Sequence, residues 1–276
     1  MNYIDKMLAS EIRRKVALVG DSRNDCVRRQ KCKELKRNFI KKDAQINSYR
    51  IEHPGESVPF SVPKKGKFVK DGIKNIEGAF RWGEENFDFL KIDEEFVKGL
   101  SARVAPKLYP DGIGYYRRGG AQIKGAKSTP PYPEKVKSLE MPWFIRDLRS
   151  KLRSGYESHD SIQQIAAGIF SHLHLVRIHP FDDGNGRTSR LLQDIILDYF
   201  SIPIPVVESG ERVTYYNLLD DAVEGWKERK GVEQHNGASQ GEYQFYTFIA
   251  GKINVSLDKV LDCIYQKNVK FPPFKL

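Results

Sequence analysis

Between Ile162 and Val176 the apolar residues Ile162, Ile165, Ala166, Ile169, Phe170, Leu173 and Val176 recur at steps of three, one and four or close to it. Spaced in this way they share one face of an α-helix, whereas a strand would need alternation. Asp160 stands where a capping side chain can accept from the first unpaired N–H groups. The same periodicity predicts a second helix from about Asn185, with Leu191, Leu192, Ile195, Ile196 and Tyr199 on its buried side and Pro203 and Pro205 ending it. Tyr216, Leu219 and Val223 mark a third helix, and residues 245–261 a fourth. Upstream, residues 94–104 read as a short helix stopped by Pro106 and Pro110. Residues 136–153 read as helical with Pro142 near a start or a break. Residues 1–50 read as helical and basic, residues 64–70 as loop or strand, and residues 121–125 as a small hairpin. The expected fold is mostly α, with little room for a sheet beyond that hairpin.

With 276 residues the chain forms one large domain or two small ones and can bury a core without staples. No run approaches the ~18 apolar residues of a membrane span. The N-terminus has no apolar segment ending in a small-residue cleavage site, so the expected location is cytoplasmic, with export as an effector through a specialised route left open. Three cysteines, Cys26, Cys32 and Cys263, make neither a disulfide framework nor a zinc spacing. The net charge of +10 favours anionic partners such as nucleic acid, nucleotides, acidic proteins or membrane faces. Much of the excess lies in residues 1–75, including Arg13, Arg14, Lys15, Arg28, Arg29 and Lys31. Few aromatics are interleaved there, which favours a solvated helical surface over a nucleic-acid site.

Chemistry concentrates in residues 179–190, HPFDDGNGRTSR. A loop with two carboxylates and two glycines opens directly into a helix, whose first N–H groups are unpaired and favour an anion such as phosphate. Gly184 and Gly186 let the backbone come close to that anion. Arg187 and Arg190 are three apart, so their guanidiniums converge on one face. A carboxylate beside a polyphosphate is suited to Mg2+, and His179 is suited to taking a proton from a hydroxyl. Taken singly, these residues would equally suit a helix cap, a surface ion pair and a satisfied histidine. His172 and His174 are two apart and point to different sides of a helix, so a zinc cluster with His179 is disfavoured and His172 reads as core-facing.

This segment resembles the Fic (Fido-fold) motif H-x-F-x-[D/E]-G-N-G-R-x-x-R at every specified position. The resemblance extends over about residues 92–255: Tyr116-Arg117, Gln122 to Gly125 and Pro130-Pro131 look like the family's flap hairpin, and Arg212, Tyr215-Tyr216, Leu219 and Ala222 like the helix after the motif. It implies a Fic/Fido helical fold with a small β-hairpin flap, and transfer of AMP from ATP to a Tyr, Thr or Ser hydroxyl of a protein, with release of pyrophosphate. Carried over, His179 is the general base and Phe181 anchors the loop. Asp183 holds Mg2+. Gly184, Asn185 and Gly186 form the anion hole, Arg187 contacts the phosphates and Arg190 binds the γ-phosphate. Gln122, Ile123 and Lys124 would clamp the target segment by strand pairing. Gly186-Arg187 departs from the family's kinase-like branch, which favours AMP over phosphate transfer. The same fold moving UMP or phosphocholine, and a basic nucleic-acid-binding protein, are the alternatives.

The organisation so read is a basic N-terminal extension at 1–75, a Fic domain at 76–260 and a C-terminal tail at 261–276. Many members of the family are restrained by a helix with [S/T]-x-x-x-E-[G/N], whose Glu pairs with the second motif arginine. The nearest approach is residues 73–78, with Glu77 as the candidate brake and Ile73 where Ser or Thr belongs. Failing that, restraint would come from a partner protein or a homo-oligomer.

Overall fold

The computed structural model describes residues 3–21, 40–53, 67–123, 126–230 and 237–265. Cys26, Cys32, the basic residues 28–37, Lys124, Gly125 and the tail beyond 265 lie outside them.

Helix α1 (Lys6–Asp21) leads, followed by α2 (Lys41–Glu52), α3 (Lys67–Asn86) and α4 (Glu94–Val104). After the irregular stretch carrying the flap come α5 (Met141–Ser158), α6 (Ser161–Ile178) and α7 (Asn185–Tyr199), then α8 (Arg212–Lys230) and α9 (Gln240–Tyr265). Helices α6 and α7 form the central pair. Helix α6 packs on α5, α1, α8 and α9, and α7 on α2, α3 and α4. Their apolar faces are as predicted: Ile165, Ile169, Leu173, Leu191, Leu192, Ile195 and Ile196 are all buried. Tyr199 departs from its expected place, being 43% exposed. It is the last residue of α7 and meets Phe87 and Phe200 edge-on at the rim of the core.

Caps follow the residue types. Asp160 Oδ1 accepts from Ile162 N at 3.0 Å, and Asp93 Oδ1 from Phe96 N at 2.8 Å. Pro142 sits in the first turn of α5, where its missing N–H costs nothing, after a π-helical turn at Val136–Glu140. Residues 67–70, expected as loop or strand, open α3 instead, because the apolar face of Ile76, Ala79 and Phe80 continues a helix that begins at Lys67.

The N-terminal residues are not an appendage. Ile4, Ile12, Ile40 and Ile51 share one core with Leu173 of α6 and with Phe245, Ile249 and Ile253 of α9. Arg13, read as a solvated cation, forms a two-pronged pair with Asp160 at 2.9 Å, tying α1 to the start of α6. At the other end α9 runs past residue 260, with Cys263 and Ile264 buried. Among the described residues there is no strand. Residues 115–123 instead run as irregular chain held by Arg117. Its N–H donates to the Pro180 carbonyl, its Nε to the His179 carbonyl at 2.7 Å, and its other nitrogens to the carbonyls of Gly119 and Pro131. One guanidinium thus ties the flap to the start of the motif loop.

Candidate active site

Residues 179–190 link the C-terminus of α6 to the N-terminus of α7. His179 closes α6 in the left-handed region, φ 51°. Its Nδ1 is enclosed and makes no hydrogen bond of good geometry. Burial pulls its pKa below 6.5. The Val176 backbone opposes that shift, and the charge of Arg117 adds to it. The imidazole is therefore neutral, the form a general base needs.

Phe181 is fully buried and tilts against Tyr116. Asn185 braces the loop from inside: its Oδ1 accepts from Phe181 N at 2.9 Å and its Nδ2 donates to the Phe181 carbonyl at 2.7 Å. Asn185→Ala would leave both backbone groups buried and unpaired, and is expected to cost ~1–3 kcal/mol, read as a lower midpoint in denaturant melts. Gly184 precedes α7 with φ 77°, a conformation side chains resist, and Val104 presses on that turn.

Above the first turn of α7 sits a carboxylate that the sequence reading did not select. Glu52, the last residue of α2, places Oε2 at 2.8 Å from Arg187 Nε and Oε1 at 2.7 Å from Arg190 Nη2. A Cβ at Gly186 would collide with Oε1, so the carboxylate lies directly against the bare backbone of the helix start. Ser48, one turn earlier, accepts from Arg190 Nε at 2.8 Å through Oγ and from Nη2 at 3.0 Å through its carbonyl. Helix α2 is fixed in turn by Arg212 Nε on the Ile51 carbonyl at 2.7 Å and by Ser209 N on Asn47 Oδ1 at 3.2 Å. Glu77 is elsewhere, on α3, and is not among the partners of Arg190.

Asp183 faces solvent with its side chain 63% exposed, and its Oδ2 accepts from Arg187 Nη2 at 2.9 Å. Oδ1 has no partner among the described residues. One hard oxygen ligand at the mouth of an anion pocket fits Mg2+, which usually takes one or two carboxylates plus substrate phosphates. Asp182 is likewise exposed. His172 is buried and core-facing, and His174 turns the other way into Trp143, Phe170 and Trp226.

Residues 91–197 match the Fic/DOC family model. Over those residues the chain resembles a Fic domain. Proteins named Fic are also among its relatives. It is 35% identical over 136 residues to the protein adenylyltransferase Fic of Drosophila persimilis, covering 49% of this chain and 25% of that protein. The corresponding figures for the Nematostella vectensis protein of the same name are 35% over 169 residues, 60% and 37%. The chain thus matches well under half the length of these relatives. Among solved structures, a Fic-domain-containing signalling protein from Bacteroides thetaiotaomicron superposes with TM-score 0.69 at 16% identity, covering 94% of this chain and all of that one. C. elegans Fic-1 (residues 134–508) gives 0.65 at 19%, covering 94% and 74%. At these identities the likeness establishes the fold.

Within the matched region His179, Asp183, Gly184, Asn185, Gly186, Arg187 and Arg190 lie on the loop after α6 and the first turns of α7, with Arg187 bonded to Asp183 and joined to Arg190 through Glu52. Gln122 and Ile123 lie in the irregular flap, and Lys124 is outside the described residues. Glu52 lies outside the family match, yet a signal for it existed. Ser48 to His53 reads S-Y-R-I-E-H, which fits the restraining pattern at Ser and Glu and departs only at His53. No helix among the described residues is long and apolar enough to cross a membrane.

Proposed function

We propose that this chain is a protein adenylyltransferase, moving AMP from ATP to a Tyr, Thr or Ser hydroxyl of a protein, and that Glu52 restrains it. The observation that carries the reading is the Glu52 carboxylate bridging Arg187 and Arg190 over Gly186. Two guanidiniums and a bare helix N-terminus form an anion site, and an internal carboxylate holds it in the absence of phosphate.

With the carboxylate withdrawn, the triphosphate lies along the first turn of α7, its terminal phosphate on Arg190 and its inner phosphates on Arg187 and the N–H groups of residues 184–186. His179 Nε2 takes the proton of the incoming hydroxyl. The hydroxyl oxygen bonds to the α-phosphorus, the bond from that phosphorus to the bridging oxygen breaks, and pyrophosphate leaves. Asp183 is the residue that would hold Mg2+, which when bound supplies positive charge against the α- and β-phosphates. The flap, tied by Arg117 to the motif loop, would receive the target segment beside His179.

The test is incubation with α-labelled ATP, Mg2+ and a cell lysate, followed by mass spectrometry of the labelled proteins. An added mass of AMP on a hydroxyl side chain is expected. UMP or phosphocholine donors labelling where ATP does not would overturn the assignment of the transferred group. In the same assay Asp183→Ala is expected to raise the Mg2+ requirement by at least about tenfold, since loss of even an outer-shell partner of a ligand costs ~10–100-fold in metal affinity, while Asp182→Ala stays near wild type. Equal Mg2+ titrations for the two variants would remove Asp183 from the metal site.

A further inference from the structure

Arg190 is gripped on an edge that neither Glu52 nor a phosphate uses. Its Nη1 donates to the Tyr215 hydroxyl of α8 at 3.3 Å, while Nε and Nη2 serve Ser48 and Glu52. Tyr215 is fully buried, and so is His172 of α6, whose Nε2 lies 2.7 Å from that hydroxyl. His172 Nδ1 lies 3.0 Å from Gln193 Oε1, one helical turn along α7 from Arg190.

The proton directions follow from what each group can do. Gln193 also bonds the buried carboxyl of Asp194, which occupies its amide nitrogen and leaves Oε1 to His172. An amide oxygen only accepts, so His172 Nδ1 carries the hydrogen. Nε2 is then an acceptor and receives the Tyr215 proton, and the phenol oxygen turns its lone pairs to Arg190. Burial first, and then the charge of Arg190, hold the His172 pKa down at about 3, so the ring stays neutral and able to accept. Burial likewise lifts Tyr215 to about 12 and keeps its proton in place. This polar chain, set against Phe245, leaves each of its polar groups with a partner, and a satisfied buried network rigidifies the groups it holds.

We infer that His172 and Tyr215 are positioning residues: the buried Gln193–His172–Tyr215 chain aims the Arg190 guanidinium at the anion pocket whether Glu52 or a terminal phosphate takes its other edge. This rests on the reading of that pocket as the nucleotide site. Arginine has many rotamers, and one whose internal carboxylate is displaced at each turnover would otherwise be free to leave with it. The Tyr215 contact fixes the side chain through the exchange, so the terminal phosphate meets a preformed donor.

The experiment uses the full chain carrying Glu52→Gly and His179→Ala, which opens the pocket and halts turnover. Calorimetry with Mg2+ measures the dissociation constants of ATP and ADP. The parent is expected to prefer ATP. Tyr215→Phe keeps the ring and should weaken ATP about tenfold, as loss of a hydrogen bond to a charged group does. ADP should weaken much less, so the preference narrows, which general loosening of the fold would not produce. His172→Gln retains an acceptor for the Tyr215 hydroxyl and should keep the preference, whereas His172→Leu should narrow it. An unchanged preference in Tyr215→Phe overturns the inference. If that variant does not fold, equal behaviour of His172→Gln and His172→Leu overturns it instead. A parent that binds neither nucleotide overturns the reading of the pocket, and the inference with it.

Discussion

His179→Ala is expected to lower AMP transfer by ~10²–10⁴-fold, the usual loss on removing a general base, with ATP affinity nearly unchanged. The separation follows from where the groups sit. On the proposed reading the phosphates would lie on Arg187, Arg190 and the start of α7, whereas His179, which closes α6, would meet only the incoming hydroxyl. Protonation would silence the base just as the substitution does. Because burial holds its pKa below 6.5, activity should persist through neutral pH and fall only on an acid limb below 6.5. Single-turnover labelling as a function of pH, in protein freed of Glu52, measures this. An acid limb centred above 6.5, or labelling by His179→Ala close to wild type, would assign the base to another group.

How much of this could be read from the residues depends on how local the signal is. The central pair α6 and α7 repeats its apolar residues every three or four positions, and the cap at Asp160 lies beside the helix it starts, so both were legible. The motif loop was legible because its chemistry is packed into consecutive residues. The N-terminal helices, expected as an extension, share a core with α6 and α9, and their residues announce little of it. Helix α2 buries Lys41, Gln45, Asn47 and Ser48 along with its apolar residues, and that mixture erases the periodicity which would mark a core helix. Part of the hairpin expected at 121–125 lies outside the described residues, and the described part, 121–123, is irregular. Arg117 ties the flap through its side chain to the carbonyls of His179 and Gly119, contacts that no local pattern announces. Glu52 pairs across a separation of more than a hundred residues, and only its Ser48-to-His53 spacing announces it. Glu77 offered a similar spacing without the Ser.

Glu52→Gly is expected to raise self-labelling and target labelling by ~10²-fold. Each charge-assisted bond to a guanidinium contributes ~1.5–3 kcal/mol, and Glu52 makes one to Arg187 and one to Arg190 at 2.8 and 2.7 Å. A triphosphate must displace both to reach the same nitrogens. With only the lower value for each, the penalty is ~3 kcal/mol, or about two powers of ten. Removing the carboxylate also clears the space against Gly186, where a phosphate oxygen is to receive backbone N–H bonds. The substitution should be tolerated by the fold, because Glu52 ends α2 and the Arg212 and Ser209 contacts that anchor that helix go to Ile51 and Asn47. Two arginines left without their shared carboxylate should make the apo protein less stable and its response to ATP larger, so the thermal shift on adding nucleotide should exceed that of wild type. Glu77→Gly serves as the matched control and should leave labelling where it was, since Glu77 stands on α3 and takes no part in the Arg190 contacts. Adding His179→Ala to Glu52→Gly should abolish the gain, tying it to the same catalytic route. Labelling that rises in Glu77→Gly and not in Glu52→Gly would reverse the assignment of the brake. Unchanged labelling in both would leave the Glu52 contact a structural tie and shift the restraint to a partner protein.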